Sequence, residues 1–467
     1  MKFLPASFRD PDARVLESDG TRILRALSPR AAAEREAVER SGLLGELVAS
    51  GLIVDSARVT EVTPPAGFAA VVASRRLAFP TYPYEWSFGM LRDAALLTLD
   101  VLARALGRGA TLKDATAFNV LFDGARPLFI DVASLVPHED GTPWLGYGQF
   151  CDHFLAPLML EAYRGIAFQP FLRGSLEGLS IGGQLSPLLG WRDWLRPGVL
   201  THVKLRALLD RRTRDLPTEA RRDVRRASLP RAAVLANVRG LRRLIARLVS
   251  RAGSVWAGYA EANTYDEGLA AKKEAFVAAA AARASVGALA WDVGANTGRY
   301  ARVLARRFTT VVAMDADPGA VDRLYGELRG TPDEQRLLPL VVDVMNPSPA
   351  QGWRGTERAT LGARGRPELA LYLALVHHLC LGRGVPLDGF LDLVCETAPL
   401  AVVEFVARED PMSQRLLATK LEQHAGYDLD TFRRLARARG EIVSEEALSE
   451  TRSLFLLRSR ENDGSRP

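Results

Sequence analysis

Residues 288–300, Ala-Leu-Ala-Trp-Asp-Val-Gly-Ala-Asn-Thr-Gly-Arg-Tyr, constrain this chain more than any other stretch. An apolar run reaches Asp292 and Val293, a turn carries Gly294, Asn296 and Gly298, and the amphipathic stretch from Tyr300 to Phe308 follows at once. A strand that passes through a glycine turn into a helix belongs to an α/β domain. That junction brings backbone N–H groups up to a ligand at the carboxyl end of a strand. Glycine serves where a Cβ would block close approach or where φ is positive, and Asn tolerates the left-handed region better than most side chains. The dinucleotide fingerprint G-x-G-x-x-G needs glycines where Asn296 and Arg299 stand, and no phosphate loop ending in Gly-Lys-Ser/Thr is present.

The stretch reads instead as D-x-G-x-N-x-G, which resembles the first motif of class I S-adenosyl-L-methionine (SAM) methyltransferases. The later strands follow in the order that family has. A second strand, 309–315, ends in Asp315, 21 residues after Gly294, where a carboxylate can take ribose hydroxyls. A third, 337–343, ends in Asp343, which the resemblance puts beside the adenine ring. Runs 368–376 and 400–406 supply a fourth and fifth strand, and a hairpin near 441–444 and 453–457 completes seven. The resemblance therefore implies a SAM site built from Asp292, Gly294, Asn296, Gly298, Asp315 and Asp343. Asn346-Pro-Ser-Pro349 is similar to the N-P-P-Y of amino-group DNA methylases but follows the wrong strand, and reads as a turn.

At 467 residues the chain exceeds one ordinary core and divides into two or three domains. The expected architecture is α/β: a C-terminal seven-stranded Rossmann-like methyltransferase sheet at 286–460, and an α+β kinase-like domain at 1–200. Between them, 201–285 is expected to be a basic helical connector and lid. Cys151, Cys380 and Cys395 show no C-x-x-C spacing, so neither a zinc site nor a disulfide framework is expected. No apolar signal run opens the chain and no membrane span is legible, so a cytoplasmic protein is expected.

In the first third, Asp19-Gly20 between two strand-like runs signals a hairpin, a helix is expected over 31–48, two more strands lie near 58–62 and 68–73, and a long apolar helix spans 90–106. Then comes Asp114, with Asn119 five residues on and Ile130-Asp131 beyond. This D-x-x-x-x-N…I-D resembles the catalytic loop and metal-binding acid of kinase-like phosphotransferases, in which the first Asp orients the acceptor hydroxyl and the Asn and second Asp hold Mg²⁺. The phosphate-pairing lysine is missing, since no lysine occurs between Lys2 and Lys113, and Arg25 is expected in its place. Lys113 also departs from the pattern, so the fold is read as degenerate. Residues 141–200, with Tyr82-Pro-Tyr-Glu-Trp86, resemble bacterial proteins related to nodulation-associated methyltransferases.

Residues 201–250 hold 14 basic side chains against 4 acidic, but no Phe, Trp or Tyr for bases to stack on. A solvated helical connector is expected there rather than an RNA site. Tyr259, Tyr265 and Lys272 are the candidates for a lid over the cofactor. Candidate catalytic residues stand at the carboxyl ends of the fourth and fifth strands: His377, His378 and Glu404. Of the histidines, His377 is expected to face the acceptor, with a titration near the ordinary value of about 6.5, and His378 to pack into the following helix. The expected function is SAM-dependent methylation of a small-molecule or saccharide acceptor, with the N-terminal domain assisting. The competing readings are a phosphotransferase built on the 114–131 loop and an RNA methyltransferase using 201–250.

Overall fold

The computed structural model describes residues 2–17, 20–208, 229–251, 267–285, 287–418 and 426–460. The chain divides into two compact units. Unit 1 comprises Met1–Phe122, Pro127–Gly253 and Ala350–Arg358, and unit 2 comprises Asp123–Arg126, Ser254–Pro349 and Ala359–Pro467.

Unit 1 opens with a four-stranded antiparallel sheet in the order β1-β2-β4-β3, formed by β1 (Ala13–Leu16), β2 (Arg22–Leu27), β3 (Ser56–Val59) and β4 (Ala70–Arg75). The hairpin β1–β2 is in place with Leu16 opposite Leu24; Asp19 of its turn lies outside the described residues. Between β2 and β3 the single expected helix is two. Ser28 caps Pro29–Arg40 by accepting the Ala31 N–H, and Gly42, at φ 75°, breaks the chain before Leu43–Ala49. Helix Phe88–Gly107 is buried on most of its surface, as its near-continuous apolar sequence requires. Four short strands follow, β5 (Ala110–Leu112), β6 (Val120–Asp123), β7 (Arg126–Phe129) and β8 (Leu135–Pro137), pairing as β5–β8 and β6–β7.

Helix Arg231–Ala246 packs on Phe88–Gly107 through Val234, Val238, Leu241 and Ile245, while Arg242 reaches Asp100 at 2.6 Å. Its i, i+4, i+7 apolar spacing gives it a buried face, so this stretch is a packed part of unit 1 and not a free-standing connector. Residues 209–228 of the basic segment lie outside the described residues.

Unit 2 is built on a seven-stranded sheet in the order β11-β10-β9-β12-β13-β15-β14: β9 (Leu289–Val293), β10 (Thr310–Asp315), β11 (Leu337–Val341), β12 (Leu369–Tyr372), β13 (Leu400–Val406), β14 (Gly440–Ser449) and β15 (Arg452–Ser459). The first five are parallel, and β15 runs antiparallel to both β13 and β14. Every residue of β9 and β13 is buried, as in parallel strands covered on both faces. The order reverses at β9, which has β10 on one side and β12 on the other. The crevice outside the carboxyl ends of strands at such a switch point is where α/β sheets bind ligands.

β12 stops at Tyr372, four residues short of expectation, because Ala374 takes a positive φ of 49° and turns the chain. β11 stops at Val341 and leaves Asp343 in the following turn. Helix Glu267–Arg283 packs against helix Arg299–Leu304 and the β14–β15 hairpin. No helix among the described residues is long and apolar enough to cross a membrane.

Candidate functional site

At the end of β9, Gly294 (φ 80°), Asn296 (φ 48°) and Gly298 (φ 77°) all take the left-handed region. Gly298 is required by space as well, since a Cβ there would stand 2.7 Å from Leu324 Cδ1. The Gly294 and Ala295 N–H groups both donate to Met314 O, at 2.8 and 2.9 Å. Asp315 completes the turn: its Oδ2 accepts the Asn296 N–H at 2.8 Å and its Oδ1 the Asp317 N–H at 2.9 Å. Burial raises the Asp315 pKa, and these two amides oppose the rise.

Asp292 differs. It is 2 % exposed, and its Oδ2 has no partner among the described residues. Burial pushes its carboxyl up to about 7, against a hydrogen bond from the Ala301 N–H, with the neighbouring Asp315 adding to the rise. Asn296 Oδ1 is likewise buried without a partner. Asp343 is already engaged: Arg383 Nη1 donates to both its oxygens, at 3.0 and 2.8 Å, and the Met345 N–H adds a third bond at 2.9 Å.

The catalytic expectations are revised by what surrounds them. Glu404, in β13, is fully buried, with Lys273 Nζ 2.6 Å from one oxygen and Arg452 Nη1 3.1 Å from the other. Arg452 also forks onto Asp410, at 2.8 and 3.1 Å, and Thr451 Oγ1 donates to the same carboxylate. Both oxygens of Glu404 are thus committed to cations. It ties helix Glu267–Arg283 and β15 to β13 and is not free to take a proton from an acceptor, which removes it as a base. Asp410 is buried against ionisation, yet the Arg452 and Met412 hydrogen bonds hold its carboxyl below its ordinary value.

Lys272, the expected lid residue, points to solvent, and its neighbour Lys273 points in. Sequence spacing held the signal, because Ala270, Lys273, Val277 and Ala280 recur at three and four residues and share the buried face. Lys273 Nζ also lies 5.4 Å from the Tyr300 ring centroid, next to the glycine turn. Tyr259 and Tyr265 lie outside the described residues.

Burial separates the two histidines. His377 is 1 % exposed, whereas His378 is half-buried, and their ring centroids are 4.2 Å apart. Neither His377 nitrogen has a partner among the described residues. Burial first, then His378 and Arg452, push its pKa down to about 3, far from the ordinary value near 6.5. The ring is neutral at physiological pH because a charged one would be desolvated beside an arginine.

In unit 1, Arg25 on β2 and Asp131 are brought together at 2.8 Å, with side chains 19 % and 13 % exposed. Burial raises the Asp131 pKa and Arg25 opposes the rise. Asp114 accepts from Gln149 Nε2 at 3.3 Å, and Asn119 Oδ1 pairs with Thr116 Oγ1 at 3.3 Å. The cleft that Arg25, Arg35, Val54, Val72 and Ile130 line has a volume of about 20 Å³. No group of three or more His, Cys, Asp or Glu among the described residues could hold a metal ion.

Fold and site together define a mixed α/β protein whose seven-stranded sheet carries a left-handed glycine turn and buried acids at its switch point. No family model matches the chain. It is 34 % identical over 451 residues to the nodulation protein NoeA of Rhizobium meliloti (strain 1021), spanning 95 % of this chain and 93 % of that protein. The chain belongs to the NoeA family. Among solved structures it is similar to the N-methyltransferase NodS of Bradyrhizobium japonicum WM9 with S-adenosyl-l-homocysteine (11 % identity, 42 % of this chain, 90 % of that chain, TM-score 0.31). It is also similar to WbdD with a kinase inhibitor (17 %, 42 % of this chain, 41 % of that chain, TM-score 0.30). A third is the magnesium protoporphyrin IX methyltransferase ChlM of Synechocystis PCC 6803 with SAM (14 %, 40 % and 79 %, TM-score 0.28).

Proposed function

We propose that unit 2 is a SAM-dependent methyltransferase of the class I, Rossmann-like kind, acting on a small-molecule or saccharide acceptor, and that unit 1 assists in holding that acceptor. One observation carries the reading: the buried Asp292 Oδ2, without a partner among the described residues, beside a turn with three left-handed residues. A buried carboxylate oxygen without a donor calls for one from outside the chain. SAM fits, being a cation at both its ammonium and its sulfonium, with ribose hydroxyls for Asp315 and a purine for the region of Asp343. When bound it supplies an activated methyl group.

The chain's own residues do the rest. Asp292 ionises when a cation comes within reach. Asp315, with one amide on each oxygen, retains lone pairs for two hydroxyl donors. Asp343 takes a donor only by sharing with Arg383 or displacing it. His377, neutral, offers one nitrogen that accepts and one that donates, so it orients an acceptor hydroxyl or amine more than it removes its proton. The network Lys273–Glu404–Arg452–Asp410 keeps the surrounding elements rigid.

A phosphotransferase reading of unit 1 is not favoured. Arg25 neutralises the acid that would hold Mg²⁺, and 20 Å³ is room for about one water where ligand pockets run to several hundred cubic ångströms. RNA is not favoured either, since helix Arg231–Ala246 spends its apolar face on unit 1 and 201–250 lacks aromatic side chains.

Calorimetry of the full chain with SAM tests the proposal, followed by labelled methyl transfer to a panel of small hydroxyl and amine acceptors. Binding in the micromolar range is expected, weakened at least tenfold by Asp315→Ala, because two charge-assisted hydrogen bonds of about 1.5–3 kcal/mol each are lost. Absence of binding at about 1 mM SAM would overturn it.

A further inference from the structure

Six of the thirteen exposed large hydrophobic side chains among the described residues fall within 191–208 of unit 1. They are Trp191 (74 % exposed), Trp194, Leu195 (91 %), Leu200, Leu205 and Leu208. Single exposed leucines are ordinary, but a contiguous group calls for a partner. The group is contiguous, because the turn Trp191–Leu195 packs on the helical segment Val199–Lys204, and Lys204 Nζ lies 4.8 Å from the Trp194 ring. It is also held rigidly outward. Val199, Val203 and Ala207 bury the opposite face, and Asp193 is 3 % exposed beneath the tryptophans, bonded to Arg196 at 2.9 Å and Arg164 at 3.3 Å.

Charge selects the partner. Residues 191–208 hold one acid, Asp193, which faces inward with Arg196, and Arg206 pairs with Asp152, so Arg192 and Lys204 are the cations left at the exposed tryptophans. Arg192 lies over the Trp191 ring at 5.2 Å, so each tryptophan carries its own cation. Leucines that are 47–91 % exposed suit a deformable apolar medium better than a shaped protein groove. Tryptophan at headgroup depth, leucine below it and Arg or Lys against phosphate is the division of labour at a bilayer surface. We propose that this patch docks unit 1 onto an anionic phospholipid surface, lying on the membrane without spanning it. The inference stands independently of the methyltransferase reading.

Co-sedimentation of the full chain with phosphatidylcholine vesicles, with and without phosphatidylglycerol, tests it at physiological ionic strength. Binding about tenfold tighter to the anionic vesicles is expected, falling with added salt. Trp191→Ser with Leu195→Ser and Leu200→Ser should lower that binding about tenfold or more with an unchanged melting curve, because these side chains touch solvent and not the core. In the wild-type chain, vesicles with brominated acyl chains should quench part of the tryptophan fluorescence, a readout that does not depend on any variant folding. Absence of quenching, equal sedimentation with neutral vesicles, or full binding by the triple variant would each overturn the proposal. So would concentration-dependent self-association that the triple variant abolishes without any vesicle binding, since the patch would then serve a second copy of the chain.

Discussion

Asp131 in unit 1 lies two residues beyond β7 and Asp292 in unit 2 lies within β9, and burial raises the pKa of each. Their surroundings separate them. Asp131 has Arg25 at 2.8 Å, whereas one oxygen of Asp292 meets no donor among the described residues. An acid that brings its own cation closes its cleft. An acid left without one costs about 1–3 kcal/mol in desolvation, and a fold that keeps such a group keeps it for something that arrives later. The same contrast runs between Glu404, held by two cations, and His377, held by no hydrogen bond among the described residues.

The contrast breaks most visibly at Glu404. Glu404→Gln leaves the buried Lys273 without its counter-charge, while Arg452 keeps Asp410, and unfolding of unit 2 should become easier by about 3–5 kcal/mol. A denaturant titration that shows wild-type stability would mean the pair is solvated and the network has no structural role.

Next in size is the pH dependence of SAM affinity. If the ligand needs ionised Asp292, and the free group titrates at about 7, affinity falls roughly tenfold for each pH unit below that. Asp292→Asn should bind weakly and flatten the profile. In the ligand-free protein the sign is reversed. A raised acid pKa favours the folded state below about pH 4, and that contribution is lost as pH rises through about 7. Calorimetry across pH 5–8 that finds constant affinity in the wild-type chain would leave Asp292 without its assigned partner.

A smaller effect is expected at His377. His377→Gln should lower turnover about tenfold with SAM affinity unchanged, because a neutral imidazole positions the acceptor and carries little of the proton transfer. The wild-type rate should show no limb near the ordinary histidine value of about 6.5, since the ring is depressed to about 3. A limb near neutrality that vanishes in this variant would restore the histidine to the role of general base.

The smallest change is expected in unit 1. Asp131→Asn should shift stability by less than about 1 kcal/mol, since burial already opposes its ionisation and the pair with Arg25 is partly wet. SAM affinity should not move. A loss of methyl transfer in this variant would show that unit 1 is more than an assistant.

The five parallel strands of unit 2 were legible because buried parallel strands read as short apolar runs, and the turn was legible because glycine and asparagine suit three left-handed residues in five. β10 and β13 lie within a residue of where their runs place them. Less legible were positions set by one backbone angle. The helix break at Gly42 and the early end of β12 at Ala374 are invisible to a pattern of apolar spacing. Asp292, Gly294, Asn296, Gly298 and Asp315 lie together around the end of β9, while Lys273, Arg452 and Asp410 went unread. Their partners lie 42 to 131 residues away and no local rule connects them.

The sequence alone thus determined the order of strands and helices, the turn at the end of β9 and the acids that follow the next strands. These are properties of backbone conformation and of apolar period, and both are local. Tertiary structure decided which groups are spent and which are spare: Glu404 against Lys273 and Arg452, Asp131 against Arg25, with Asp292 Oδ2 and both His377 nitrogens left without a hydrogen bond among the described residues. Burial and distance set the charge state of an acid or an imidazole, and both exist only once segments far apart in the chain have packed together.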